Sequence, residues 1–135
     1  EIAVWSSASV SGVPLDAFCE MRGHFHHDEA EERIEERVRN FAYEIIERKN
    51  ATYFGVAMAV KRICEVIVRD EKTILPVSTM MHGEYGIEDV VLSMPCILGK
   101  DGIETKVPIS LSEEEIKELQ ESAKVLKEIT KELNL

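Results

Sequence analysis

Residues 73–109, TILPVSTMMHGEYGIEDVVLSMPCILGKDGIETKVPI, decide the fold class of this chain. Three stretches of strand character, at 73–81, 90–98 and 102–109, are separated by glycine-containing turns at 83–86 and 99–102. Connections this short favour an antiparallel meander. Pro76 and Pro95 cannot donate a ladder hydrogen bond, so we expect each of them at an edge, a bulge or a break of the sheet.

A long helix is predicted after the meander. Ser112 and Glu115 have the spacing of a capping box, and Leu111 and Ile116 occupy the positions of a hydrophobic staple. Apolar residues then recur at helical spacing and predict one buried face. This predicted face consists of Ile116, Leu119, Ala123, Leu126, Ile129 or Thr130, and Leu133.

Two further helices are predicted before the meander. Asp28 and Glu31 have the spacing of a capping box, and apolar residues follow at helical intervals to about Lys49. The charged residues on the opposite face of this helix are interpreted as a solvated surface. The break at 50–52 separates this helix from a second one that runs to about Arg69. The apolar positions of the first helix are Ile34, Val38, Phe41, Ala42 and Ile45.

These elements together predict an α+β domain, with long helices packed on a small antiparallel sheet. Residues 1–25 mix small residues with valine and proline, and we expect irregular structure there. The length of 135 residues predicts one domain. Because Glu1 opens the chain without a methionine and structured-looking sequence follows at once, we expect a fragment of a longer protein.

Composition limits the classes of partner. The net charge of −10 makes binding to nucleic acid or to an anionic membrane improbable, and no stretch is apolar enough to span a membrane. We therefore expect a cytoplasmic protein. Three widely spaced cysteines fit neither a disulfide framework nor a zinc site, so reduced thiols are predicted, with Cys64 and Cys96 packed in the core.

The residues alone do not predict a catalytic site. His24, His26 and His27 lie beside Asp28, but their spacing matches no structured metal motif, so no metal is predicted. His82 precedes a glycine and is interpreted as an exposed turn residue. The glycines connect strand-like segments and do not form a phosphate loop. Without further information, a noncatalytic interaction or oligomerisation domain is the better interpretation.

Several runs resemble the C-terminal half of the L-lactate dehydrogenase family. They are VWSS (4–7), VPL (13–15), NATYFGVA (50–57), PVSTM (76–80), GEYGI (83–87) and SMPCILG (93–99). The runs follow the family in order and spacing, and the resemblance covers essentially all of residues 1–135. It implies a C-terminal substrate-binding domain that is separated from its N-terminal NAD-binding Rossmann domain.

The resemblance also implies an activity, NAD-dependent interconversion of L-lactate and pyruvate. The family's acid/base histidine, its orienting aspartate and its substrate arginines would all lie upstream, so no catalytic residue is expected in this chain and the chain alone is expected to be inactive. Thr52 matches a threonine that lines the substrate pocket, and Val56 matches a residue that contacts the nicotinamide ring. Tyr43 matches a tyrosine that the resemblance implies is phosphorylated. The family's usual homotetramer implies contacts with other copies.

Three interpretations of the function of this chain follow. The first is the substrate-side half of an L-lactate dehydrogenase, and the second is the matching half of a malate dehydrogenase. The third, from a different class, is a noncatalytic oligomerisation or interaction domain. The runs around Thr52, Pro76 and Cys96 favour the lactate branch over the malate branch.

Overall fold

The computed structural model describes residues 2–25 and 27–133. The chain divides into two compact units, Glu1–Gly55 and Val56–Leu135. Helices and small antiparallel sheets make up both, which confirms the α+β prediction. In order, the elements are β1 (Ser9–Val10), β2 (Val13–Pro14), α1 (Leu15–Met21), α2 (Asp28–Lys49), α3 (Phe54–Arg69), β3 (Thr73–His82), β4 (Glu88–Gly99), β5 (Gly102–Lys106) and α4 (Glu113–Glu132).

The first unit opens with a small hairpin, which the expectation of irregular structure missed. Strands β1 and β2 pair antiparallel, and the turn between them consists of Ser11 and Gly12, both with positive φ. Two such residues form the tight turn whose twist suits a hairpin. The amide of Leu15 donates to the carbonyl of Ala8, and α1 begins at Leu15. The seven residues of α1 are too few to show a clear helical period in the sequence.

Helix α2 confirms the predicted span but not the predicted cap. The residue before the helix is His27, whose backbone is already helical and whose side chain makes no capping hydrogen bond. Asp28 lies inside the first turn, so the capping box of Asp28 and Glu31 is wrong; their charges favour the positive helix end instead. Among the described residues of α2 none is buried, so its apolar stripe is exposed.

The second unit contains the predicted meander. Its sheet has the order β3–β4–β5 with both pairs antiparallel, and residues alternate between a buried and an exposed face. The buried face of β4 forms most of the core, because β-strand side chains point to opposite faces in turn. The core residues are Met81, Ile87, Val90, Leu92, Met94, Cys96 and Ala123.

Both prolines of the meander lie where a missing donor is tolerated, as predicted. Pro76 and Pro95 are direct partners across β3 and β4. β3 is an outer strand of the described sheet, and pairing with β5 reaches only as far as Cys96, opposite Lys106. One step beyond, the carbonyl of Pro95 accepts a hydrogen bond from the amide of Val107 at 2.7 Å. Neither proline therefore interrupts a continuous ladder.

Helix α4 has the predicted capping box. The hydroxyl of Ser112 accepts from the amide of Glu115 at 3.1 Å, and the carboxylate of Glu115 accepts from the amide of Ser112 at 2.7 Å. Ala123 of this helix is buried in the core cluster. The side chain of Gln120 donates to the carbonyl of Tyr85 at 2.8 Å, which joins α4 to the turn between β3 and β4.

Helix α3 ends at Arg69, as predicted, and Val66 alone is buried among its described residues. Arg62 donates to both carboxylate oxygens of Glu71, just beyond the helix, and this pairing lowers the pKa of Glu71. No helix in the described ranges 2–25 and 27–133 is both long and apolar enough to cross a membrane.

The three cysteines are free thiols, as predicted, but only one of them packs in the core. Cys96 is fully buried, and burial raises the pKa of its thiol. Cys64 is exposed on α3, so the prediction that it packs in the core is wrong. Both cysteines lie in apolar sequence, and only the tertiary packing distinguishes them.

Candidate functional site

Thr52 lies in the short connection between α2 and α3. Helix α2 is terminated by Asn50, which is left-handed with φ 62° and whose amide donates to the carbonyl of Ile46 at 2.7 Å. Asparagine tolerates this conformation better than most residues. Helix α3 begins at Phe54, so Thr52 is one of the four residues 50–53 between the two helices, and it is exposed. A threonine here presents one hydroxyl and one methyl group beside a helix start.

Two aromatic rings follow Thr52 directly, a feature that the sequence reasoning did not use. The ring centroids of Tyr53 and Phe54 are 4.6 Å apart and the ring planes are inclined by 51°. Tilted pairs at this separation are favourable. Both rings remain largely exposed, at 54% for Tyr53 and 68% for Phe54. The described chain therefore leaves an apolar surface beside Thr52.

Val56 lies in the first turn of α3 and is 60% exposed. The other described residues therefore leave Val56 largely uncovered. Met58 and Val60 on the same helix are also more than half exposed, whereas Val66 near its end is fully buried. The first half of α3 thus carries uncovered apolar side chains, which fits contact with a flat apolar group.

Tyr43 lies in the second half of α2, and its side chain is 68% exposed. Tyr43 is therefore not packed inside the described chain. An exposed phenol is accessible to a modifying enzyme.

The described histidines belong to no cluster that could hold a metal ion. Nε2 of His27 lies 3.4 Å from a carboxylate oxygen of Asp16, while Nδ1 of His27 is buried with no partner among the described residues. Burial raises the pKa of the nearby Glu31, and His27 opposes this rise. Residues 2–25 and 27–133 contain no group of three or more metal-ligating side chains, and His26 lies outside these described residues.

An ion pair near the end of the sheet is structural. Lys106 donates to the carbonyl of Met80 at 2.7 Å and pairs with Glu84 at 2.6 Å, and Glu84 also accepts from the amide of His82. These bonds, led by that from Lys106, lower the pKa of Glu84 to about 2. His82 is an exposed residue at the end of β3, as predicted. The sequence showed no sign of this pair, because 22 positions separate Lys106 from Glu84.

One apolar cleft of the described chain is not formed by the predicted site residues. It has a volume of about 460 Å³ and lies in the first unit, between the start of the chain and α2. Its lining is mainly apolar, and Glu35 and Arg39 form an ion pair on α2 beside it. The residues that line it are Ile2, Ala3, Val4, Trp5, Ala8, Ile34, Glu35, Val38 and Arg39.

Comparison with known proteins gives consistent matches over the whole chain. The family model described as lactate/malate dehydrogenase, alpha/beta C-terminal domain, matches residues 1–134. L-lactate dehydrogenase from Acetivibrio thermocellus is 45% identical over the full chain, and that from Thermoanaerobacterium saccharolyticum is 41% identical. In both cases the chain spans 43% of the length of the relative.

Solved structures of both branches resemble the fold. A lactate dehydrogenase from a Medee basin deep-sea metagenome library has a TM-score of 0.92 at 36% identity, covering 99% of this chain and 43% of that one. Malate dehydrogenase from Archaeoglobus fulgidus, solved in complex with NADH, is 46% identical but covers 77% of this chain and 35% of its own, with a TM-score of 0.72. The matching family model covers nearly every residue, and the chain therefore belongs to the lactate/malate dehydrogenase family, as its alpha/beta C-terminal domain.

Proposed function

We propose that this chain is the substrate-side part of an NAD-dependent L-lactate dehydrogenase that interconverts L-lactate and pyruvate. One observation carries the proposal: relatives named L-lactate dehydrogenase are 41–45% identical across the entire chain. The chain spans 43% of their length, so the activity belongs to a longer protein that also contains the nucleotide-binding part. Under this proposal the protein works in the cytoplasm.

Thr52 is the residue of this chain that we propose for substrate contact. Its exposed position between α2 and α3 leaves the hydroxyl able to donate or accept one hydrogen bond with a three-carbon 2-oxo acid. The methyl group of Thr52 limits the space beside that acid. Thr52 thus orients the substrate, and proton transfer is assigned to residues of the other part.

The described residues fit one edge of an NAD site rather than the whole of it. Gly83 and Gly86 flank a single 3-10 turn, and Gly99 and Gly102 bound a hairpin turn, so neither pair begins a helix that could bind phosphates. The exposed apolar side chain of Val56 suits van der Waals contact with a nicotinamide ring. When bound, NADH supplies the hydride that reduces the 2-carbon of pyruvate.

Malate dehydrogenase is the second candidate, because the Archaeoglobus fulgidus malate dehydrogenase reaches 46% identity over 77% of the chain. Two chimeric enzymes distinguish the branches. In the lactate chimera, this chain replaces the matching 43% of the A. thermocellus enzyme; in the malate chimera, it replaces the matching part of the A. fulgidus enzyme. We expect pyruvate-dependent NADH oxidation by the lactate chimera and little oxaloacetate-dependent oxidation by the malate chimera. The reverse ranking would refute the lactate assignment.

The role of Thr52 has its own test in the lactate chimera. We expect Thr52→Val to lower kcat/KM for pyruvate by about tenfold, the value of one hydrogen bond of ordinary strength. Thr52→Ser keeps the hydroxyl and should lose much less. Thr105→Val on β5 is the matched control, because Thr105 is also exposed but lies in a strand where valine is well tolerated. Equal activity of Thr52→Val and the parent would exclude the proposed contact.

The third candidate, a noncatalytic interaction domain, is favoured by the exposed apolar side chains of α2 and α3. We expect the 135-residue chain alone to oxidise no NADH with pyruvate, so inactivity of the isolated chain does not separate this candidate from our proposal. Activity of the lactate chimera does, since a domain that evolved only for binding has no reason to complete a dehydrogenase site. Pyruvate reduction by the isolated chain would overturn our assignment of the acid/base group to the other part.

Assembly and modification are also part of the proposal. A homotetramer would cover apolar surface such as that of α2, and sedimentation of the active chimera at the mass of a monomer would contradict it. Phosphorylation of Tyr43 is consistent with its exposure, and mass spectrometry of the protein from its native cells would detect it. An unmodified tyrosine peptide under all growth conditions would argue against this role.

A further inference from the structure

The connection that holds Thr52 has little freedom at its two ends. Asn50 fixes the end of α2 through its left-handed conformation and its hydrogen bond to Ile46. Phe54 begins α3, so only the four residues 50–53 lie between the two helices. The orientation of the Thr52 hydroxyl is decided within this connection, because neither helix includes it.

The rings of Tyr53 and Phe54 make contact on the α3 side of Thr52. Adjacent residues place their rings side by side only for a restricted set of backbone and χ1 angles. The 4.6 Å contact therefore restricts the backbone at Tyr53, the residue that follows Thr52. Neither ring is buried, so covering the core of the described chain does not explain the pair.

We propose that the Tyr53–Phe54 ring pair positions Thr52, holding the connection in the conformation that presents the threonine hydroxyl to the substrate. This inference rests on the proposed function, since it concerns the same substrate site. Both members of the pair are positioning residues, and they act on the substrate through Thr52. A displacement of a positioning group by about 1 Å can reduce the rate by up to about a hundredfold, so a modest local contact is enough to matter.

The test is a double-mutant cycle in the lactate chimera, with Thr52→Val, Phe54→Ala and the combined variant. We expect Phe54→Ala to lower kcat/KM for pyruvate about tenfold without changing KM for NADH. In the Thr52→Val background the same substitution should change kcat/KM less than about twofold, because the group that the rings position is gone. Alanine has a higher helix propensity than phenylalanine, so the substitution does not weaken α3 through its backbone.

Two variants control for loss of an exposed ring. Phe54→Tyr keeps the ring and should restore nearly full activity. Phe25→Ala removes a ring of nearly equal exposure, 69% against 68% for Phe54, from a position outside α2 and α3, and should leave kcat/KM for pyruvate within about twofold of the parent.

The outcomes separate this inference from the proposed function. A loss with Thr52→Val and none with Phe54→Ala would overturn the positioning role alone, as would additive losses in the double variant. No loss with Thr52→Val would overturn the substrate contact on which both depend. Hydrogen exchange provides a readout independent of turnover: the amides of residues 51–55 should exchange faster in Phe54→Ala than in Phe54→Tyr, and equal exchange would refute the restraint.

Discussion

Two neighbouring methionines of β3 provide a direct test of the sheet's orientation. Met81 is fully buried in the core cluster, whereas Met80 points to the other face and is 43% exposed. Truncation of each to alanine removes the same three heavy atoms. The two variants, Met81→Ala and Met80→Ala, therefore differ in burial and not in chemistry.

The expected cost of each truncation follows from this burial. For Met81, three groups at ~0.8 kcal/mol each give ~2.4 kcal/mol of lost transfer free energy, and incomplete collapse of the cavity raises the total to ~3 kcal/mol. At Met80 solvent already reaches the side chain, so the loss is about 1 kcal/mol and no cavity forms. At ~3 °C per kcal/mol for a chain of this size, Tm should fall by ~9 °C and ~3 °C respectively.

Far-UV circular dichroism during thermal unfolding is the appropriate assay, because the single tryptophan, Trp5, belongs to the first unit and not to the sheet. The Met80 backbone carbonyl that accepts from Lys106 is present in both variants, so this bond does not bias the comparison. Equal shifts in Tm would contradict the difference in burial between Met80 and Met81, and a larger shift for Met80→Ala would show that the two faces of the sheet are assigned the wrong way round.

Three further predictions concern charge, capping and thiol access. The pKa of Glu84 is lowered from 4.5 to about 2, so its pairing with Lys106 stabilises the fold above pH ~4.5, and this contribution is lost as the pH falls towards 2. Lys106→Met should remove that part of the acid dependence of the urea midpoint. An unchanged dependence of the midpoint on pH would refute the prediction. Ser112→Ala should cost about 1 kcal/mol in urea unfolding by removing the capping box, and a cost near zero would contradict the cap. In the native protein, Cys64 should react with a thiol reagent much faster than Cys96, and equal rates would disprove the burial of Cys96.

The capping motifs show what local sequence can and cannot predict. Asp28 and Glu31 have the same spacing as Ser112 and Glu115, yet only the second pair forms a capping box. Ser112 has an extended backbone, with φ −68° and ψ 165°, so its side chain folds back onto the first turn. Helix α2 begins at Asp28 itself, one residue earlier than it would if Asp28 were the cap, because the backbone of His27 is already helical. Whether the box forms therefore depends on the backbone conformation of the residue just before the helix, and the spacing of the two side chains does not specify that conformation.

The meander was predictable because it is a local structure. The signals for it all lie within 37 residues: short turns, alternating apolar residues and two prolines with restricted positions. Each of these signals is satisfied by an antiparallel sheet. The tie between Lys106 and Glu84 was not predictable, since its partners meet only after the sheet has formed. The same applies to Tyr85, whose hydroxyl bonds to both the amide and the carbonyl of Ile109, 24 residues away.

The roles of the site residues could not be predicted from local sequence patterns. The spacing of Thr52 and Val56 says no more than that a helix begins near them, and their roles came from resemblance alone. The structure adds one independent fact about each: Thr52 lies outside both helices, and Val56 is uncovered although the end of the same helix is buried at Val66. The substrate contact proposed for Thr52 would place one hydroxyl group beside the exposed rings of Tyr53 and Phe54, an apolar surface of the kind that forms a dry pocket when it is covered.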